Sequence, residues 1–169
     1  TSLTYLRETY EIAEEVDQAE LIIPGFQLSR VKANDPIYPS FGWRLSSKIR
    51  FANRNLSSTA SFVQLTGNGK ILFPLLGGRV LVRGDLGYTE VTDVRELPAS
   101  IRFFAGGDSS VRGFAYESLG PRADNGEVIG GRHLATGSLE YDHPITEKWH
   151  LAVFTDGGNA FNGSGTGRG

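Results

Sequence analysis

The sequence predicts an all-β chain: a transmembrane antiparallel β-barrel laid out as a meander, with about seven strands present. Three observations carry this. Runs of about ten residues alternate between apolar and polar side chains, the period-2 pattern of a strand with one apolar face. Their length matches the roughly 9–11 residues that a tilted strand needs to cross a bilayer. Finally, 22 of the 169 residues are glycine, accompanied by 2 Trp, 6 Tyr and 10 Phe, a pairing that suits sheets with tight bends.

The elements follow in order. Residues 4–12 alternate weakly, with Leu6, Tyr10 and Ile12 on one face beside Glu8. The acidic stretch 11–20 suits either a hairpin tip or a short helix. Residues 21–34 read as a second strand, bent or bulged at Pro24-Gly25, and Pro36 and Pro39 mark the turn after it. From there the alternation is clear. In 42–52, Trp43, Leu45, Ile49 and Phe51 oppose Arg44, Ser46, Lys48 and Arg50. In 63–73, Val63, Leu65, Ile71 and Phe73 oppose Gln64, Thr66, Asn68 and Lys70. In 79–89, Val80, Val82, Leu86 and Tyr88 oppose Arg79, Arg83, Asp85 and Thr89. The last two strands are 132–141 and 148–156. On them Leu139, Tyr141, Leu151 and Val153 lie opposite Ser138, Glu140, Phe154 and Asp156.

The polar face decides between architectures. In a soluble sandwich it would look outward, and in a membrane barrel it looks into a wet lumen. Trp43, Tyr88, Tyr141 and Trp149 stand near strand ends, where interfacial aromatics belong, and this favours the barrel. Seven strands close poorly, because bacterial single-chain barrels have even counts and open edges in lipid leave backbone groups unpaired. The chain therefore reads as residues 1–169 of one larger barrel domain. A net charge of −2 and a pI near 5.9 point to no nucleic-acid partner. The absence of cysteine removes disulfides, thiol nucleophiles and thiolate metal sites.

The connection at about 93–130 is too long for a plain turn and too rich in apolar groups for a solvated tail. It holds Phe103, Phe104, Val111, Phe114, Tyr116 and Leu119. Such a loop needs a wall to pack on, and the inward face of the strands supplies one. Val111-Arg112-Gly113-Phe114 lies within this loop. Gly137-Ser138-Leu139-Glu140 falls on the next strand and Phe154-Thr155-Asp156-Gly157 on the one after.

These three motifs, in this order, resemble the superfamily of outer-membrane insertases and translocases that includes BamA, TamA and the two-partner secretion translocators. The wider stretches 102–107 and 129–141 resemble the TamA branch. The resemblance covers essentially the whole chain. It implies a barrel of roughly 16 strands in the bacterial outer membrane, with POTRA domains and closing strands outside these 169 residues. The loop would fold into the lumen, with Val111, Arg112, Gly113 and Phe114 as its anchor motif and Glu140 and Asp156 as inward carboxylate partners. Gly137, Phe154 and Gly157 would support them. The implied function is assistance to the insertion of autotransporters and other barrel proteins, with outer-membrane lipid, client proteins and a TamB-like periplasmic protein as partners. Alternatives are a two-partner translocator pore and a BamA-type insertase; a passive porin or a soluble β-domain is more remote.

The residues themselves agree with an anchor. A planar guanidinium pairs with carboxylates through parallel hydrogen bonds that fix direction as well as distance. Gly113 permits a close turn, and Phe114 can pack on the wall. Glu140 and Asp156 as a catalytic pair would lack a placed nucleophile and would be neutralised by Arg112, so no enzyme is expected. The run Gly106-Gly107-Asp108-Ser109-Ser110 lacks the lysine and the strand–helix context of a phosphate loop. His133, His143 and His150 are too scattered for a metal site, and no cofactor is implied.

Overall fold

In the computed structural model, which describes residues 1–12 and 15–163, the strands form one antiparallel sheet in the order of the chain. They are β1 (Ser2–Ile12), β2 (Glu15–Ala33), β3 (Gly42–Ala52), β4 (Phe62–Leu75), β5 (Gly78–Val91), β6 (His133–Pro144) and β7 (His150–Phe161). The meander and the strand positions of β3 to β5 agree with the alternation, whereas β6 and β7 run on to Pro144 and Phe161, past their expected ends at 141 and 156 and into the glycine-rich stretch that reads as loop. The acidic stretch is strand, not helix: Tyr10 pairs with Asp17 and Ile12 with Glu15. Within the expected stretch 11–20, residues 13–14 lie outside the described residues. No described helix is long and apolar enough to cross a membrane, which leaves crossing by strands untouched.

β2 is longer than its sequence pattern implies, and Pro24 does not break it. Residues Glu15 to Gly25 pair with β1, whereas pairing with β3 begins only at Gly25. The proline thus sits where the β3 ladder has not started, so its missing N–H costs that ladder nothing. Above it, the connection after β3 takes over the free edge. The Thr59 amide donates to the Glu20 carbonyl at 2.8 Å, and the Ile22 amide donates to Ser58 Oγ at 3.0 Å.

Register sorts the side chains onto two faces. Arg50, Gln64 and Thr89 stand side by side, as do Arg44, Lys70, Arg83, Ser138 and Asp156. This is the inner face, on which the long loop lies. The outer face carries Leu45, Leu65, Leu86, Leu139 and Val153, all exposed. A contiguous exposed apolar surface of this extent marks a lipid or protein contact. Gly69, Gly84, Gly137 and Gly157 form a transverse row across it from β4 to β7.

One expectation about the inner face needs correcting, because it is not polar throughout. At the loop end Leu21, Ile23, Phe62 and Val91 turn inward and are buried with Tyr10, Ala60, Leu97 and Ile101. A loop that covers the wall removes it from the wet lumen, and the covered end then favours apolar residues.

Candidate functional site

The long connection is built, not loose. The Asp93 side chain caps the first 3₁₀ turn by accepting from the Arg95 amide at 2.9 Å. Val94–Glu96 and Ala99–Ile101 then bring Leu97 and Ile101 down onto the apolar end of the wall. Isolated bridges pair Phe103 with Gly131, Ala105 with Leu119, and Arg122 with Val128, so the loop doubles back on itself.

Its base is held by a buried guanidinium. Arg102 Nε and Nη2 donate to the Leu97 carbonyl at 2.8 and 2.5 Å, and Nη1 donates to the Ile129 carbonyl at 2.8 Å. The guanidinium lies 5.6 Å from the centre of the Tyr10 ring. Beside it, Gln64 is fully buried. Its Nε2 donates to Thr89 Oγ1 and to the Ile101 carbonyl, both at 2.8 Å, while its Oε1 accepts from Arg50 Nε at 2.5 Å. The Phe103 ring fills the space that a side chain at Gly87 would occupy: a Cβ there would stand 2.5 Å from the ring.

The tip is held by Arg112. Gly106 and Gly107 have φ of +104° and +96°, a region that L side chains rarely adopt, and they let the chain turn back toward the wall. Val111 is buried. The Arg112 amide donates to Asp156 Oδ2 at 3.0 Å, and its Nε donates to the same oxygen at 2.6 Å. Nη2 donates to Asp156 Oδ1 at 2.9 Å and to Ser138 Oγ at 3.0 Å, and Nη1 donates to Glu140 Oε2 at 2.7 Å. The guanidinium also lies over the Phe154 ring, 3.5 Å from its centre. Hydrogen bonds to Asp156 first, and then to Glu140, raise the pKa of Arg112 above its already high value. The side chain is therefore a permanent cation.

The strands fix this geometry. Ser138 pairs with Asp156 and Glu140 with Phe154, and cross-strand partners share a face. All four side chains therefore present one inward patch to the guanidinium. The anticipated carboxylates meet Arg112, and so does Phe154. Gly137 and Gly157 do not: they sit in the outer row, on the other side of the sheet. Gly113 has φ +89° with open space where its Cβ would be, so its contribution is conformation and not close approach. Phe114 stays 53% exposed, and the aromatic contact belongs to the wall's own Phe154.

Ser138, Arg102, Gln64 and Gly87 lie outside the expected set. Ser138 also accepts from Arg83 Nη2 at 3.3 Å, which links the tip to the cationic wall. Its place two residues before Glu140 was the available signal. Among the described residues no cluster of His, Asp and Glu could hold a metal.

Comparison with known proteins bears on this arrangement. Residues 4–169 match the model of the Omp85 superfamily domain. The outer membrane protein assembly factor BamA of Neisseria meningitidis serogroup B is 29% identical over 150 residues, 79% of this chain and 18% of that protein. The crystal structure of BamA from Haemophilus ducreyi lacking POTRA domains 1–3 superposes with a TM-score of 0.74 at 25% identity, over 88% of this chain and 31% of that one. The chain thus spans less than a third of either relative. The all-β sheet, its likeness to a BamA barrel and the match over nearly every residue place the protein in the bacterial outer membrane, and the chain belongs to the Omp85 superfamily.

Proposed function

We propose that this chain is part of the single barrel domain of an outer-membrane assembly factor that inserts client barrel proteins, with the loop at 93–130 as its internal brace. The observation that supports this best is the set of bonds between Arg112 and Asp156, Glu140 and Ser138. A cation that binds two adjacent strands and the loop together keeps the wall in shape. The rest of the barrel can then open at a weak seam, offer strand edges to a client and thin the bilayer locally. No covalent step is involved, in keeping with a family of assembly factors that are not enzymes.

The finer reading is a TamA-type factor that acts on autotransporters with a TamB-like periplasmic partner, and the stretches 102–107 and 129–141 support it. A BamA-type insertase is the second reading, favoured by the two BamA relatives. Deleting the gene separates them. Loss of autotransporter display with retained viability fits the first, and loss of viability fits the second. The brace itself is tested by Arg112→Ala in the full-length protein, which should abolish assembly of a client barrel in proteoliposomes. Unchanged assembly together with unchanged protease resistance of the loop would refute it.

A further inference from the structure

Two transverse rows cross the inner face near the short-turn end, and they differ in kind. In the first, register places Val31 beside Arg44, Arg44 beside Lys70, and Lys70 beside Arg83. In the second, two residues nearer the turns, Ala33, Gly42, Leu72 and Leu81 stand side by side. The connection 34–41 folds over this end of the inner face. The Arg79 guanidinium lies 4.4 Å from the centre of the Tyr38 ring, and its Nη1 donates to the Pro39 carbonyl at 3.4 Å. Between Pro39 and the two rows lies a cleft of about 360 Å³, within the size range of pockets that hold one small molecule.

The charge of this cleft is unbalanced. Like charges directly across from each other destabilise a sheet, and here three cations follow one another on adjacent strands. Among the described residues neither Arg44 nor Lys70 has a hydrogen-bond or ionic partner, and the buried Nε of Arg83 has no acceptor. The carboxylates that line the cleft are already engaged. Asp142 accepts from Arg79 Nε at 2.7 Å and lies 3.0 Å from His150 Nδ1, while Glu140 accepts from Arg112 at 2.7 Å. The apolar row is also unfinished, because Leu72 and Leu81 are only half-buried and Val31 is exposed on a wall that faces a wet lumen.

A row of cations beside an apolar floor is complementary to an oxyanion attached to an apolar body. Glu140 and Asp142 narrow the choice, since a doubly charged phosphate would meet more repulsion from them than a single carboxylate. Bilayer lipid is excluded by position: the cleft opens on the face opposite to the lipid-facing Leu45, Leu65 and Leu139. We propose that the cleft binds a small apolar monocarboxylate, with Arg44 and Lys70 taking the carboxylate and Leu72 and Leu81 the apolar body. Arg44 supplies the planar fork that carboxylates favour, and Lys70 a point charge beside it. The site belongs to the wall itself and holds whichever client the barrel inserts.

The test uses the full-length protein in phospholipid nanodiscs and a photoreactive probe, a diazirine-bearing benzoate. Adducts mapped by mass spectrometry should fall within 31–44 and 70–83; hydrocinnamate should compete for them and phenylpropanol should not. Arg44→Gln combined with Lys70→Gln should cut labelling by at least about tenfold, the effect of losing one charge-assisted hydrogen bond. Arg44→Lys, which keeps the charge, should keep most of it. Lys48→Gln, on the same wall but outside the cleft, should label like the parent. Heat-modifiable gel mobility checks that each variant folds, and if the double variant does not, Lys70→Gln alone should lower labelling in the same direction. Equal competition by phenylpropanol, or full labelling of the folded charge variants, would overturn the proposal. Phenyl phosphate competing better than hydrocinnamate would overturn the choice of a monocarboxylate. A short glutamate-containing peptide competing as well as hydrocinnamate would move the site to a polypeptide side chain and overturn the small-ligand assignment.

Discussion

Arg102 and Arg112 hold the base and the tip of one loop by opposite means. Arg102 is buried and gives its hydrogen bonds to two neutral backbone carbonyls of the loop itself, and burial lowers its pKa. Arg112 reaches across to two carboxylates on different strands, and they raise its pKa. The base thus behaves as a small apolar core organised around a cation, while the tip is an ionic clasp at a partly wet surface. The first is a device for stability. The second ties a mobile-length segment to a particular place on the wall, and its loss need not unfold the sheet.

Each side of that contrast can be broken separately. Arg102→Leu should have the largest effect on stability. It strips two carbonyls of their donor at a buried site, costing about 2–6 kcal/mol at roughly 1–3 kcal/mol per orphaned acceptor, read from the urea midpoint of the refolded barrel. Gly87→Ala should follow, at about 1–3 kcal/mol for overpacking, because the new methyl meets the Phe103 ring at 2.5 Å. An unchanged midpoint in both would mean that the base is not a core. Asp156→Asn should leave the midpoint close to that of the parent but expose the tip, 106–118, to proteolysis, since Asp156 accepts three of the bonds from Arg112. Glu140→Gln, which weakens only one, should give the same cleavage pattern more slowly. If Glu140→Gln cleaves faster than Asp156→Asn, the assignment of Asp156 as the principal partner is wrong.

The tip was more legible in the sequence than the base, and the reason is physical. Alternation on β6 and β7 assigns Glu140 and Asp156 to one face, and a guanidinium in the intervening loop has an evident use for both. Nothing local distinguishes Arg102 from any other arginine, because its partners are backbone carbonyls that every residue possesses. Gln64 and Thr89 were visible as polar-face residues, but their burial depends on a loop segment arriving from Ile101, which periodicity cannot foresee. The extent of β2 was missed for a related reason: an acidic run such as Glu14, Glu15 and Asp17 reads as a hairpin tip or a short helix, yet strand pairing with β1 constrains only the backbone of 15–20. The outer row of glycines shows the converse. Gly137 and Gly157 were visible as motif residues, but period 2 places them away from the site that their motifs serve.

The clasp also has a consequence for how the sheet is assembled. Arg112 precedes both of its partner strands in the chain, so it cannot be satisfied until β6 and β7 have been laid down. Because side chains alternate, a slip of β7 by one residue would carry Asp156 to the opposite face and leave the guanidinium with only Glu140 and Ser138 of β6. A slip by two would keep the face but move the carboxylate about 7 Å along the strand, out of hydrogen-bonding range. Only one alignment of the two strands completes the set of bonds, which makes Arg112 a checkpoint that reads strand register after pairing and rewards the correct one.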